Sequence, residues 1–250
     1  MTEFDYEIVT ADRKPGLMSL ATKVTAQSWP EFMLHDPVAE LFPELWERLP
    51  QFQFVFLEPG TDNLIALGNS IPLAWDGDLS ELPETGWDWA MATGIQNCRK
   101  GEDPSVLCAL QIVVANKYLG RGLSRRAVET MKSIGRANNL KALLAPVRPN
   151  VKTSYPLIPI DEYVTWKNDE GLPFDPWMRV HARSGAAIVK VCHQAMRITG
   201  TIADWENWTG VKVPSSGRHV IPGALVPVEF DVEADRGIYI EPNVWMHHAL

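Results

Sequence analysis

Lys117-Tyr118-Leu119-Gly120-Arg121-Gly122-Leu123-Ser124 is the stretch of this 250-residue chain whose residue types and spacing best suit binding of an anion. Two glycines one residue apart let backbone N–H groups converge on a phosphate, and a helix that starts just after them adds a partial positive charge. Arg121, Arg125 and Arg126 place formal charge beside the loop. The same glycines also suit a purely structural tight turn. A dinucleotide fingerprint would need a third glycine, and the GxxxxGK(S/T) loop of nucleotide hydrolases is absent. Proton chemistry has two candidates. His181 has a side chain type that titrates near neutrality, but it follows Trp177 by four residues and Met178 by three, so the same spacing suits a core histidine. Tyr155, in a proline-rich stretch, is the alternative acid.

Other reactive types point nowhere in particular. Cys98, Cys108 and Cys192 are odd in number and form no CxxC pair, so neither a disulfide framework nor a thiolate zinc site is expected. Cys108 sits in an apolar run that favours an inert thiol over a nucleophile. His193, His219, His247 and His248 make no i, i+4 pair with a nearby carboxylate, and no metal is expected.

The elements that must position these groups follow from periodicity. Residues 5–10 alternate as a strand and end in the turn-like ADRKPG; 17–27 and 37–49 read as helix, the second split or kinked around Pro43. Residues 51–58 and 64–75 form a hairpin across EPGTDN, and 87–98 suit a helix. Val106–Val114 is almost continuously apolar, as a strand buried on both faces should be. Past the glycine loop, Leu123, Ala127, Val128, Met131 and Ile134 mark one helical face, and residues 140–147 return as a second buried strand. Strand, loop, helix, strand implies a right-handed crossover with parallel strands. Residues 148–174 form a long loop carrying prolines 149, 156, 159 and 173, the kind of segment that usually has a functional part. Asp175 caps a helix with Pro176 at its first position, and residues 187–250 read as an extended strand region.

Composition sets the outer bounds. With 46% hydrophobic and 22% charged residues and no apolar window of about 18 residues, a soluble core is expected and a membrane span is not. The acidic start MTEFDYEIVTADRK lacks an export signal, so a cytoplasmic location is the expectation. A net charge of −8 argues against a broad nucleic-acid surface but leaves room for a local basic pocket.

The glycine loop resembles the signature Q/R-x-x-G-x-G/A of the GNAT acyltransferase superfamily, with Lys117 where the family usually has Gln or Arg. FDPWMRVHARSGAAIV is similar to that family's helix and following strand, placing Arg183 at its basic position and His181 at its tyrosine position. The resemblance covers at least residues 106–191, and the chain is also similar to larger bacterial-type members. It implies one α/β domain of α+β type over residues 1–250, with a mixed, splayed central sheet flanked by helices. It further implies direct transfer of an acyl group, acetyl first among them, from acyl-CoA to an amine in a ternary complex. Ile112, Val113 and Val114 would then pair with the pantetheine arm, Lys117 to Ser124 would hold the pyrophosphate, and Asn150 with Lys152 would meet the cofactor's other end. Trp205, Trp208 and Trp245, with Glu206 and Glu241, fall where the family's acceptor pocket opens; they suit either packing or an apolar cleft with a carboxylate for an ammonium group. The expected partner is a small amine or an amino-acid side chain, and since relatives are often dimers a homodimer fits the resemblance. A non-catalytic acyl-CoA module, thioester hydrolysis and O-acyl transfer are the alternatives.

Overall fold

Among the described residues nine strands hydrogen-bond into one sheet of order β1-β2-β3-β4-β5-β9-β8-β7, with β6 paired to β9. This computed structural model describes residues 5–14 and 16–250. The first residues of the stretch read for export, and Pro15 of the turn after the first strand, lie outside the described residues. In chain order the elements are β1 (Glu7–Thr10), α1 (Leu17–Ser28), α2 (Phe42–Arg48), β2 (Gln53–Leu57), β3 (Leu64–Leu73), α3 (Gly86–Lys100), β4 (Val106–Val114), α4 (Leu123–Ala137) and β5 (Ala142–Val147). There follow α5 (Ile160–Tyr163), α6 (Pro176–Arg183), β6 (Ala187–Gly200), α7 (Ile202–Thr209), β7 (Gly217–His219), β8 (Val228–Asp231) and β9 (Arg236–Ala249).

Only β4 and β5 run parallel, joined through α4 as the apolar patterning requires. Leu123, Ala127, Val128 and Met131 bury the inner face of α4, where each large apolar side chain contributes roughly 1.5–3 kcal/mol. The two parallel strands pair solely at Leu107↔Leu143 and Cys108↔Leu144, then diverge. A bulge explains where. Asn69 faces Gln111 and Ser70 faces Ala109, which leaves Leu110 as an extra residue on β4. Such an insertion bends its strand and raises the local twist. The Leu110 carbonyl accepts a hydrogen bond from Trp87 Nε1 of α3 at 2.8 Å. Behind the bulge Gln53, Asn69 and Gln111 form a buried amide chain, with links of 2.9 and 2.7 Å, ending where Trp29 Nε1 donates to Gln111 Oε1 at 3.2 Å. Fully satisfied networks of this kind fix one arrangement of the backbone around them.

Several expectations are corrected. Of the split or kink expected around Pro43 the split is found, not the kink: residues 37–41 form a separate 3₁₀ turn and Pro43 lies in the first turn of α2, where its missing N–H has no partner to lose. Residues 202–209 are helix rather than strand, opened by a capping box between Thr201 and Asp204. The long loop after β5 is structured by a 3₁₀ turn at Val151–Ser154 and by α5. Asp175 holds it. Its Oδ1 accepts from the N–H groups of Trp177 and Met178 at 2.9 and 3.1 Å, and its Oδ2 accepts from Val151 N and the Tyr163 hydroxyl at 2.9 and 3.0 Å. The cap that starts α6 therefore also sets where His181 points. On the outer side His193 bridges Glu84 at 2.9 Å and Asp161 at 3.0 Å, tying α5 to β6, and both carboxylates hold its pKa above the ordinary value. No helix among the described residues is long and apolar enough to cross a membrane.

Candidate active site

The divergence of β4 and β5 opens a cleft of about 540 Å³, within the usual range for small-molecule sites. Residues 109–114 of β4 form one wall and residues 145–148 the other. Past Cys108 the edge of β4 that faces β5 has no strand partner, so its backbone groups are available to an extended ligand. Pro146 on the opposite wall has no N–H to offer.

At one end the cleft reaches Asn116, Leu119 and Ser124, beside the glycine loop. Gly120 and Gly122 have φ of +75° and +74°, and a Cβ added at either would meet nothing within 4 Å. The glycines thus serve backbone conformation and leave open space in front of the first turn of α4, as a phosphate requires. Tyr118 and Leu123 are buried and anchor the loop from below, whereas Lys117, Arg121 and Arg125 stay exposed. Lys117 lies 3.9 Å from Glu58 and 4.6 Å from the centre of the Tyr118 ring. Both neighbours help to hold its pKa above the ordinary value, so it is fully charged at neutral pH. Asn150 lines the cleft on the far wall. Lys152 does not. It is fully buried, donates to the carbonyls of Tyr155 and Leu225 at 2.7 Å each, and burial pushes its pKa down to about 8.

Away from the glycine loop the lining includes Trp29, Met33, Phe42, Trp87, Met196 and Glu241. Glu241 is fully buried, and its oxygens are engaged by Arg148 Nε at 3.0 and 2.8 Å, by the Tyr239 hydroxyl at 2.9 Å and by Asn243 Nδ2 at 3.2 Å. It is an anchor for Arg148 rather than a carboxylate waiting for an ammonium group. Sequence reading had no means of pairing residues 93 positions apart, and Trp29, Trp87, Gln111, Arg148 and Asn243 were not singled out. Close by, Asp36 and Asp88 lie in hydrogen-bond contact. Asp36 Oδ2 and Asp88 Oδ1 are buried without any other partner. Two carboxylates so placed share one proton, and burial followed by the charge of Asp36 raises the pKa of Asp88 well above the ordinary range.

That raised pKa has a sign. Between the ordinary value of 3.8 and about 8 the folded chain holds a proton that the unfolded chain releases, so stability falls as pH rises through this window. Asp88→Asn keeps a donor for Asp36 and removes the loss. It should be more stable than the parent at pH 8, by roughly 1–3 kcal/mol, with the advantage shrinking toward pH 4. Thermal melts at both pH values check this, and an equal Tm difference at the two would contradict the shared proton.

His181 reaches the cleft from α6 beside Trp177, whose ring centre lies 4.4 Å away. Its Nδ1 is 2.9 Å from His248 Nε2, and both rings are buried. Burial, then the neighbouring His248, pushes the pKa of His181 down to about 3, so the ring is neutral at physiological pH. Tyr155 stands apart from the cleft lining, packed against Tyr163, Trp166 and Phe174. Trp205 and Trp245 are also absent from it. Trp205 on α7 is fully buried against Phe32 and Phe230, and Trp245 is fully buried with its Nε1 donating to the Pro83 carbonyl at 2.9 Å. Cys108 is fully buried with its pKa pushed far up by burial, which leaves it an inert thiol. Among the described residues no group of three or more His, Cys, Asp or Glu is placed to hold a metal ion.

No family model matches the chain. It is similar over its whole length to the loading GNATL domain of CurA from Lyngbya majuscula, with a TM-score of 0.62, 19% identity and 98% of each chain covered. Likewise the GphF GNAT-like decarboxylase in complex with isobutyryl-CoA gives a TM-score of 0.61 at 15% identity, over 97% of this chain and 98% of that one. Both likenesses establish the fold. The arginine N-acetyltransferase avaD of Aspergillus versicolor is 32% identical over 98% of this chain and 94% of its own length. Since that likeness spans the glycine loop and both walls of the cleft alike, the chain belongs to the GNAT superfamily of acyl-CoA-dependent N-acyltransferases.

Proposed function

We propose that this chain transfers an acetyl group from acetyl-CoA to a nitrogen of a small, arginine-like acceptor, within one domain spanning residues 1–250. The observation that carries the reading is the cleft that runs from beside the open glycine loop along the unpaired edge of β4 to a lining rich in apolar and aromatic side chains. The bound cosubstrate supplies an acetyl thioester. Lys117 to Ser124 hold its pyrophosphate with backbone N–H groups, Ile112 to Val114 pair with its pantetheine arm, and Asn150 meets it from the second wall.

The acceptor's lone pair attacks the carbonyl carbon, a C–N bond forms, the C–S bond breaks, and the nitrogen's proton leaves while the sulfur gains one. An ammonium group must first lose a proton. Among the described residues the cleft lining contains one carboxylate, Glu241, and it is fully engaged, so water takes that proton. His181 is too weak a base for this step, since its conjugate acid has a pKa of about 3. Its remaining work is donation. This step requires the tautomer in which His248 Nε2 donates to His181 Nδ1, which puts the proton of the neutral His181 ring on Nε2 for the departing sulfur. The likeness to an arginine N-acetyltransferase favours a cationic acceptor, as does the one negative charge left on the proton-sharing pair Asp36 and Asp88.

Thiol release from acetyl-CoA and longer acyl-CoAs, with L-arginine, agmatine and neutral amines, tests the proposal together with the mass of the product. Release should require an amine and give a product heavier by one acetyl group. Release without amine would replace the reading with hydrolysis, transfer only to hydroxyl compounds would replace it with O-acylation, and tight coenzyme A binding without release would make the chain a non-catalytic module.

A further inference from the structure

The guanidinium of Arg148 is held on three sides. Nε donates to both oxygens of Glu241, Nη2 donates to the Gly223 carbonyl at 2.6 Å, and the Trp29 ring lies 5.6 Å from its centre. Glu241 is itself fixed by Tyr239 and Asn243, and the Tyr239 hydroxyl in turn accepts from Leu225 N at 2.8 Å. Each anchor removes rotamer freedom before any ligand arrives. The measured hydrogen bonds to Glu241 and Gly223 leave from Nε and Nη2, and the Tyr239 hydroxyl also lies against the guanidinium, so Nη1 is the nitrogen to which none of the measured bonds belongs. Arg148 lines the cleft just beyond the point where β5 leaves β4. A preorganised guanidinium in the lining of a largely apolar cavity, with one N–H₂ outside its measured bonds, is suited to receive a carboxylate. Glu241 cannot close the site by turning back on Nη1, because its four hydrogen bonds point elsewhere.

Building on the acceptor reading above, we propose that Arg148 Nη1 recognises a carboxylate carried by a reactant, and that this is the α-carboxylate of an amino-acid acceptor. The acidic pair Asp36 and Asp88 near the same end disfavours a bare anion and favours one that brings its own positive charge, as a zwitterionic amino acid does. The same chemistry could enter on the acyl chain of a dicarboxylic acyl-CoA, and binding experiments separate the two sources.

Calorimetry on the intact chain with coenzyme A present should give L-arginine roughly 10- to 100-fold tighter binding than L-argininamide, the range of a charge-assisted hydrogen bond in a desolvated site. A second arm compares malonyl-CoA with butyryl-CoA; a preference confined to this arm assigns the carboxylate to the acyl chain. In the paired variant Arg148→Gln/Glu241→Gln both charges go together, so no buried carboxylate is stranded, and the preference should fall to about 1. Persistence of the preference in the folded paired variant overturns the proposal, as does the lack of a carboxylate preference in both arms of the parent. A clear preference without any acetylated product would instead count against the proposed transfer while leaving the Arg148 assignment standing.

Discussion

Coenzyme A should bind Gly122→Asp at least 100-fold more weakly than the parent, while the variant stays folded. Gly122 caps α4 at φ +74° with open space where a Cβ would stand, so the substitution meets no steric wall. A non-glycine residue in this conformation costs about 1–2 kcal/mol, and Asp is among the side chains that tolerate it best. The binding loss comes from charge. A carboxylate at the first turn of α4 competes for the N–H groups and partial positive charge that a phosphate would use, and repels the phosphate itself. Gly120→Asp, at φ +75°, should behave alike. Gly122→Asn is the control, with the same shape and backbone preference but no charge, and it should lose less than about 10-fold. Calorimetry with coenzyme A measures all three. Parent-like affinity in folded Gly122→Asp would remove the phosphate role of the loop.

This loop was legible in the sequence because every level agreed there. A long apolar run, two glycines and a 3.6-residue apolar period admit one arrangement, and β4, the loop, α4 and β5 stand where that patterning puts them. The splay itself was not legible. Leu110 looks like any other member of an apolar run, and the bulge depends on Asn69, Gln53 and Trp87, which arrive from β3, β2 and α3. Helix α7 was misread because its eight residues carry little periodic signal and follow directly on a long strand. The Thr201-to-Asp204 capping box was the sign that marks its start. The Arg148–Glu241 side of the site was hidden for a different reason. Arg148 and Glu241 are individually unremarkable charged residues, and only the pairing of β5 with β9 brings them together. Trp205 and Trp245 drew attention through their chemistry, yet both fill the core, as the packing reading of a tryptophan-rich segment would have it.

His181→Phe should lower kcat by roughly 10²-fold and leave coenzyme A affinity within a few-fold of the parent. The separation follows from the proposed binding mode, in which backbone groups of β4 and the glycine loop hold the cosubstrate, whereas His181 enters the cleft from α6. Phe keeps the ring against Trp177 but offers no N–H to a departing sulfur. It also strands His248, whose Nε2 loses its partner at 2.9 Å, so a stability loss of about 1–3 kcal/mol is expected alongside. His181→Tyr should recover part of the rate, since a phenol supplies a donor from a similar position. The pH profile distinguishes a neutral donor from an imidazolium. Burial holds His181 uncharged down to about pH 3, so kcat should show no inflection from this residue between pH 5 and 8, and kcat/KM should rise only as the free acceptor loses its proton. A descending limb in kcat with an apparent pKa between 6 and 7, absent from His181→Phe, would mean that the ring works as a charged acid. Unchanged turnover in the folded Phe variant would leave His181 with packing alone, and the proton for the thiolate would then come from water.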